Sequence, residues 1–306
     1  NKHSLGFLVF GAPSNRAGSS PAVQEAFDLL GNNYYNPNWG WQTDSNGERF
    51  MRNARVSSYH QPMFQLQHYW TPSSKLKINT TAYYWFGKGG STSLEWGEAA
   101  DPRPDYYRNL PSYYLYRLNN GDEGYTWEGY EAYKQQWIED ENMHQIDWDA
   151  LYATNIRTLK TVNNANNIEG NTIQGRFSKY IVEQRRQDKN QAGLTSSFNY
   201  ELNPNIHFNG GVKIGMSKTH YYKLVADLLG GDYYLDIDKY AEGEAFEITD
   251  VQQVDLNNKN HVAVVGDVIG YNYIANNNKA VIWGQADYTK GHWTAFIGAE
   301  GSFTQM

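Results

Sequence analysis

Apolar and polar residues alternate along several stretches of this chain. In residues 75–86, one side of an extended strand would carry Leu76, Ile78, Thr80, Ala82, Tyr84 and Phe86. The other side would carry polar residues such as Lys77 and Asn79 together with Tyr83 and Trp85. A two-residue period over this length predicts a β-strand with two different faces.

Three predicted hairpins share this pattern. Residues 63–70 precede the first strand, and only residues 71–74 separate the two, which indicates an antiparallel hairpin with a tight turn. A second hairpin joins residues 195–202 to 206–216, and a third joins 282–288 to 293–303. With an apolar strand at residues 5–10 and an extended stretch at 180–188, we expect about seven strands.

Long connections occupy every second gap, near residues 11–58, 89–176 and 223–267. Connections of this length usually carry function or indicate a wrong strand assignment. Short turns on one rim that alternate with long loops on the other are typical of outer-membrane barrels. The middle loop is predicted to contain helix, because apolar residues recur there every three to five positions. They are Trp127, Tyr130, Tyr133, Trp137 and Ile138, followed by Ile146, Leu151 and Ile156.

Composition narrows the classes of protein. The mean hydropathy is −0.73, and no stretch approaches the roughly 20 apolar residues of a membrane helix. This does not exclude a membrane barrel, whose strands give only a weak apolar signal. The net charge of −7 argues against nucleic acid as a partner, and the absence of Cys excludes disulfides and thiolate sites.

The expected fold is therefore all-β: a fragment of a large antiparallel transmembrane β-barrel with long extracellular loops, one of which contains helix. About seven strands is an odd number that cannot close a bacterial single-chain barrel with loops of this size. Residues 1–306 are accordingly expected to form a partial barrel, with further strands supplied from outside this sequence.

Four short segments carry a resemblance to a known family. They are Phe10-Gly11-Ala12-Pro13, then Tyr34-Tyr35-Asn36-Pro37-Asn38-Trp39-Gly40, then His60-Gln61-Pro62 with Trp70-Thr71-Pro72, and finally Ala99-Ala100-Asp101-Pro102-Arg103-Pro104-Asp105-Tyr106-Tyr107-Arg108-Asn109-Leu110-Pro111. These segments resemble the barrels of TonB-dependent receptors, most closely the Oar-type, carboxypeptidase-regulatory-like subgroup related to the SusC-like receptors. The resemblance covers most of the chain and is strongest up to about Tyr114.

This resemblance implies a location in the outer membrane of a Gram-negative bacterium and a barrel of about 22 strands occluded by a plug. It implies TonB-dependent uptake of a bulky extracellular nutrient, such as an oligosaccharide, a peptide or a chelated metal. The implied partners are membrane lipid, the TonB system acting through an N-terminal region, and a surface lipoprotein as a lid. Neither a plug nor a TonB-interacting segment is recognisable in this sequence.

Two groups of loop residues are candidates for ligand binding. Tyr34, Trp39 and Trp41 would stack on sugar rings or a peptide, although aromatic residues near a barrel rim commonly form an interfacial girdle or hold loops together. Asp101, Arg103, Tyr106 and Tyr107 form a charged and aromatic cluster at the start of the longest loop. Such a cluster suits a polar ligand, but anchoring of the loop is the commoner use.

Acidic residues in the third loop suggest a calcium site. Asp236, Asp238 and Glu247 have the first, third and twelfth positions of a calcium-binding loop. Ala241 replaces the required Gly and Tyr240 replaces an oxygen ligand, so the segment is not an EF-hand. A loop-bound calcium ion remains an alternative to a solvated acidic loop, and no other cofactor is expected.

The sequence contains none of the common catalytic motifs, and the expected protein is not an enzyme. The rival interpretation is a secreted all-β protein that binds or acts on carbohydrate through an aromatic cleft. The two differ in the environment of the apolar rows, which face lipid in a barrel and a second packed sheet in a sandwich.

Overall fold

A computed structural model describes residues 2–97, 99–241 and 248–306. The strands are β1 (His3–Phe10), β2 (Ser14–Ala17), β3 (Trp39–Thr43), β4 (Arg49–Asn53), β5 (Val56–His60), β6 (Met63–Ser73), β7 (Leu76–Glu95), β8 (Leu159–Val162), β9 (Ile173–Arg176), β10 (Ile181–Asn203), β11 (Ile206–Asp227), β12 (Tyr234–Leu235), β13 (Val262–Ala263), β14 (Val268–Lys290) and β15 (Trp293–Gln305). The helices are α1 (Gln24–Leu30), α2 (Pro111–Asn119), α3 (Trp127–Glu139) and α4 (Trp148–Arg157). Among the described residues, none of the helices is long and apolar enough to cross a membrane.

One antiparallel sheet dominates the structure, with the strand order β1-β6-β7-β10-β11-β14-β15. Strands β2 and β5 continue β1 and β6 in the same register, after interruptions at residues 11–13 and 61–62. The three predicted hairpins are confirmed as β6–β7, β10–β11 and β14–β15. Because neighbours along the chain are antiparallel, the short turns lie at one end of the sheet and the long connections at the other.

Several strands extend further than the alternation predicted. Strand β7 continues to Glu95, β11 continues to Asp227, and β14 begins at Val268 instead of residue 282. The long connections are therefore residues 18–55, 96–180 and 228–267, here called the first, second and third connections. Tight hydrogen-bonded pairing carries these strands past the point where the apolar alternation stops.

The register brings the predicted apolar rows together on one face of the sheet. A row across the sheet runs through Phe7, Leu66, Ala82, Leu194, Ile214, Ala280 and Phe303. We call this side the apolar face. Polar residues such as Gln67, Asn79, Asn199, Lys213 and Gln285 lie on the opposite, polar face, because successive side chains point to opposite sides of a strand.

The sheet is large and open. Within the described residues, no pairing joins β1 to β15, so each of these outer strands has one unpaired edge. The expectation of a mostly antiparallel β-structure is thus confirmed, whereas its place in a larger transmembrane barrel stays a prediction.

The hydrophobic core lies in the three connections and the adjoining strand ends, which together we call the cap. One core cluster unites Ala54 of the first connection, Ile146 and Trp148 of the second, and Leu229 of the third. Trp137 and Trp148 are fully buried. The cap is therefore one packed body and not three independent loops.

Helices α3 and α4 confirm the predicted helix in the middle connection. The Thr126 hydroxyl accepts a hydrogen bond from the Gly129 amide at the start of α3, and the Asp147 carboxylate accepts one from the Ala150 amide at the start of α4. Such caps satisfy amide groups that have no partner inside the helix. Helices α1 and α2 were not predicted.

Two buried polar residues lie where the connections meet the sheet. Glu183 at the cap end of β10 is fully buried and forms ion pairs with Arg185 and Lys223, each at 2.6 Å. Asn155 of α4 donates to the carbonyl oxygens of Tyr180, Leu228 and Leu229 and accepts from the amides of Lys179 and Tyr180. One side chain thus holds the second and third connections where both leave the sheet.

We expect Asn155→Ala to lower the free energy of unfolding of the cap by about 3 kcal/mol or more, because it leaves several buried amides and carbonyls without partners. Denaturant titration followed by tryptophan fluorescence would measure this loss, since the fully buried Trp137 and Trp148 report on the cap. The neighbouring Thr154→Ala removes a half-buried hydroxyl that donates to the Ala150 carbonyl of the same helix, and it should cost less than about 1 kcal/mol. Equal losses in both variants would contradict this role for Asn155.

Candidate ligand-binding surface of the cap

The predicted aromatic group of the first connection does not form one site. Tyr34 is 93% exposed and its side chain therefore packs on almost nothing, while its neighbour Tyr35 is buried against Trp137. Trp39 and Trp41 contact each other edge to face on β3, with ring centroids 6.0 Å apart. The Trp39 carbonyl accepts a hydrogen bond from the Ile146 amide, and the Gln145 side chain accepts one from the Trp41 amide. Strand β3 therefore ties the first connection to the second.

Gly40, between the two tryptophans, explains why this strand packs so closely. A Cβ atom at this position would lie 1.9 Å from the Ile146 carbonyl oxygen. Only glycine permits such a close approach of two backbones.

Asp101 and Arg103 bind each other instead of leaving charges free for a ligand. The Arg103 guanidinium forms a bidentate pair with the Asp101 carboxylate and lies over the Trp96 ring. Asp105 is buried nearby, and burial raises the pKa of its carboxyl group while Arg103 opposes that shift. This part of the predicted cluster matches its alternative interpretation as a loop anchor.

Tyr106 and Tyr107 belong to a larger group of aromatic side chains. The Tyr107 ring contacts Tyr106 at 4.7 Å and Tyr113 at 5.5 Å between centroids, both edge to face. Tyr113 stacks on Tyr116 at 6.0 Å, one turn further along α2. On the other side of the helix, Tyr114 contacts Tyr125 and Tyr133. We call these residues the tyrosine cluster: Tyr106, Tyr107, Tyr113, Tyr114, Tyr116, Tyr125 and Tyr133.

Local sequence and one distant contact position helix α2. Pro111 occupies its first turn, where the missing amide proton is not needed. Glu25 of α1 accepts hydrogen bonds from the amide and the hydroxyl of Ser112. A carboxylate at this end also interacts favourably with the helix dipole. The first connection therefore fixes the orientation of the tyrosines in the second.

Two clefts border Tyr113. The first, of about 460 Å³, is lined by Tyr107, Ser112, Tyr113 and Tyr116. The second, of about 500 Å³, is lined by Arg108, Leu110, Tyr113, Tyr114, Glu123, Gly124, Tyr125 and Tyr133. Both volumes fall within the roughly 300–1,000 Å³ of small-molecule sites.

Cationic side chains next to the clefts are engaged with tyrosine or acidic groups. The Arg108 Nε–H donates to the Tyr107 hydroxyl oxygen at 2.8 Å, and this bond lowers the pKa of Tyr107. Arg117 forms an ion pair with Asp122 and lies over the Tyr125 ring. Burial raises the pKa of Tyr133, whose hydroxyl donates to the Asn109 carbonyl. Both arginines therefore have partners within the cap.

Sequence reasoning identified only the edge of this surface. Tyr113, Tyr114 and Tyr116 were missed because nine residues around a proline give no strong helical period. The high tyrosine content, 25 residues, and the close spacing of these three were the available signals.

The predicted calcium ligands have other contacts in the described residues. Asp236 is buried, and its carboxylate accepts a hydrogen bond from the Gly270 amide and lies 3.6 Å from His261 Nδ1. Asp238 accepts from the Tyr240 amide within its own turn. Glu247 lies outside the described residues, and within those residues no three acidic or histidine side chains are grouped to hold a metal. Calcium binding thus stays a prediction that depends on Glu247.

Comparison of the sequence with protein-family models and with curated proteins gave no match.

The contact of His261 with Asp236 makes the stability of the cap depend on pH. The adjacent Asp236 carboxylate raises the pKa of His261 above the ordinary value of 6.5. The stabilisation is therefore fully present below about pH 6.5 and is lost as the pH rises through the higher pKa of the folded state. We expect the wild-type melting temperature to fall, between pH 6 and pH 9, relative to that of His261→Gln.

Thermal unfolding across this pH range would measure the difference, with His292→Gln in the exposed β14–β15 turn as a control that should keep the wild-type profile. Parallel pH profiles for wild type and His261→Gln would show that the contact is not coupled to folding.

Proposed function

We propose that this chain is part of the wall and the extracellular cap of an outer-membrane β-barrel that takes up a bulky nutrient, in the manner of the TonB-dependent receptors it resembles. The observation that carries this proposal is the uncovered apolar face. Phe7, Ile282, Ile297 and Phe303 on this face are 64–75% exposed. Transfer of one such side chain from water to an apolar environment is favourable by about 1.5–3 kcal/mol of free energy.

A face of this extent requires an apolar neighbour. Monomeric soluble proteins rarely expose contiguous apolar patches of more than a few hundred Å². The rival sandwich would cover the face with a second sheet, but the other sheets in the described residues are two-stranded. The hydrophobic clusters that these small sheets join belong to the cap. Lipid is therefore the neighbour that we propose for this face.

Aromatic residues are concentrated at both ends of the apolar face. Phe64, Tyr84 and Phe86 stack on one another near the cap. Near the short turns, the same face carries Trp70, Tyr200, Phe208, Tyr288 and Trp293. Between these groups the face carries aliphatic and small residues such as Leu66, Ala82, Leu194 and Ile214, together with His68 and Phe198. Aromatic girdles on either side of an apolar band are typical of membrane-spanning strands.

The proposal implies how the chain is oriented in the outer membrane and which further parts complete the assembly. The long connections face the outside and the short turns face the periplasm. Unpaired strand edges are not tolerated in lipid, so β1 and β15 require further strands. A plug, coupling to TonB and a lipoprotein lid belong to the proposal through the family resemblance.

Arginine substitution on the two faces tests the membrane environment. Ile78→Arg places a charge on the apolar face and should destabilise the chain folded in phospholipid by roughly 2–4 kcal/mol if the site is near the bilayer midplane. Asn79→Arg, the next residue on the same strand, lies on the polar face and should have a small effect. Denaturant titration of each variant in phospholipid vesicles would measure both values.

Equal losses at the two positions would contradict the proposed lipid contact. A chain that folds in buffer without lipid and loses as much stability there on Ile78→Arg would favour the secreted carbohydrate-binding alternative.

A further inference from the structure

The tyrosine cluster presents ring surfaces that the fold does not cover. Tyr107 is 51% exposed and Tyr116 is 58% exposed, although both contact Tyr113. Tyr113 itself lies between the two clefts and lines both. An occupant that reaches from one cleft to the other would therefore contact Tyr113 and at least one exposed ring.

The hydroxyl groups of the first cleft are arranged to bind polar groups of a ligand. The Tyr107 oxygen already accepts a hydrogen bond from Arg108, so its own proton is free to be donated. The Tyr113 oxygen accepts from Arg117 at 3.4 Å and is in the same situation. Both hydroxyls can therefore donate a hydrogen bond to an occupant of the cleft, which suits a ligand rich in hydroxyl groups.

Charge around the clefts gives no preference for an ion. The second cleft contains one cation, Arg108, and one acid, Glu123, and the first cleft is lined by uncharged residues. Arg117, which is close by, is paired with Asp122. A charged ligand would lose hydration without meeting an uncompensated opposite charge. The occupant is therefore expected to be neutral.

We propose that the two clefts of the tyrosine cluster bind a neutral oligosaccharide, with sugar units on either side of Tyr113. A pyranose ring offers C–H surfaces to the aromatic rings and hydroxyl groups to the tyrosine oxygens. A polyproline peptide also packs on aromatic grooves, but its backbone has acceptors and no donors. The proposal names the ligand class for the receptor proposed above and rests on that function only for the cap's position outside the cell.

Titration calorimetry with the full 306-residue chain in detergent tests the proposal. The probes are maltohexaose, cellohexaose, xylohexaose and laminarihexaose, with decaproline as the peptide probe. We expect at least one hexasaccharide to bind, and Tyr107→Ala and Tyr116→Ala to weaken that binding at least tenfold. Tyr113→Phe keeps the ring and removes the hydroxyl, so it should weaken binding by a smaller factor.

Tyr240→Ala is the matched control, because this side chain is 85% exposed in the third connection and outside the cluster. Near-ultraviolet circular dichroism of each variant verifies that the cap remains folded. Binding of no hexasaccharide, unchanged binding in Tyr107→Ala and Tyr116→Ala, or preferential binding of decaproline would overturn the proposal. Hexasaccharide binding by a chain that fails the lipid test at Ile78 would retain this site and reject the receptor function.

Discussion

The antiparallel register of the large sheet is the constraint on which the rest of the structure depends. A shift of one residue in any strand would move its side chains to the opposite face. Because the pairings keep Leu66, Ala82, Leu194 and Ile214 in one row, the apolar alternation of each strand adds up to a continuous surface. That surface determines which environment the sheet tolerates, and the short turns and the cap lie beyond its two ends.

The hydrophobic core of the cap is formed by the cap's own residues and does not depend on the apolar face. Its clusters bury Trp137, Trp148 and Phe177, and its polar contacts are made internally or with the strand ends. Arg52 is an example of a contact with a strand end. It pairs with Asp227 of β11 at 2.7 Å and lies over the Trp148 ring. Residues of all three connections are thus fixed relative to the sheet, which gives the exposed tyrosines a rigid support.

The sequence predicted features whose cause is local and missed those whose cause is distant. Hairpins follow from alternation and turn residues within about 25 positions, and α3 shows a regular apolar spacing, so both were predictable. The half of β14 nearer the cap contains Asn276, Asn277 and Asn278, so apolar and polar residues do not alternate there. Its strand conformation comes from pairing with β11. The contacts of Asn155 reach residues 25, 73 and 74 positions away, and no pattern in the chain indicates them.

The residues of the candidate site also differ in whether local or distant contacts determine their environment. Asp101 and Arg103 looked like ligand-binding residues because they are charged and close together, but proximity in sequence is also what lets them pair with each other. Tyr107 and Tyr116 differ from them because their contacts leave half of each ring in solvent. Exposed aromatic surface held in place by Glu25 and Ser112, two residues 87 positions apart, cannot be read from either segment alone. A binding surface of this kind exists only once the connections have packed together, so the cap's core and the proposed ligand site depend on the same interactions.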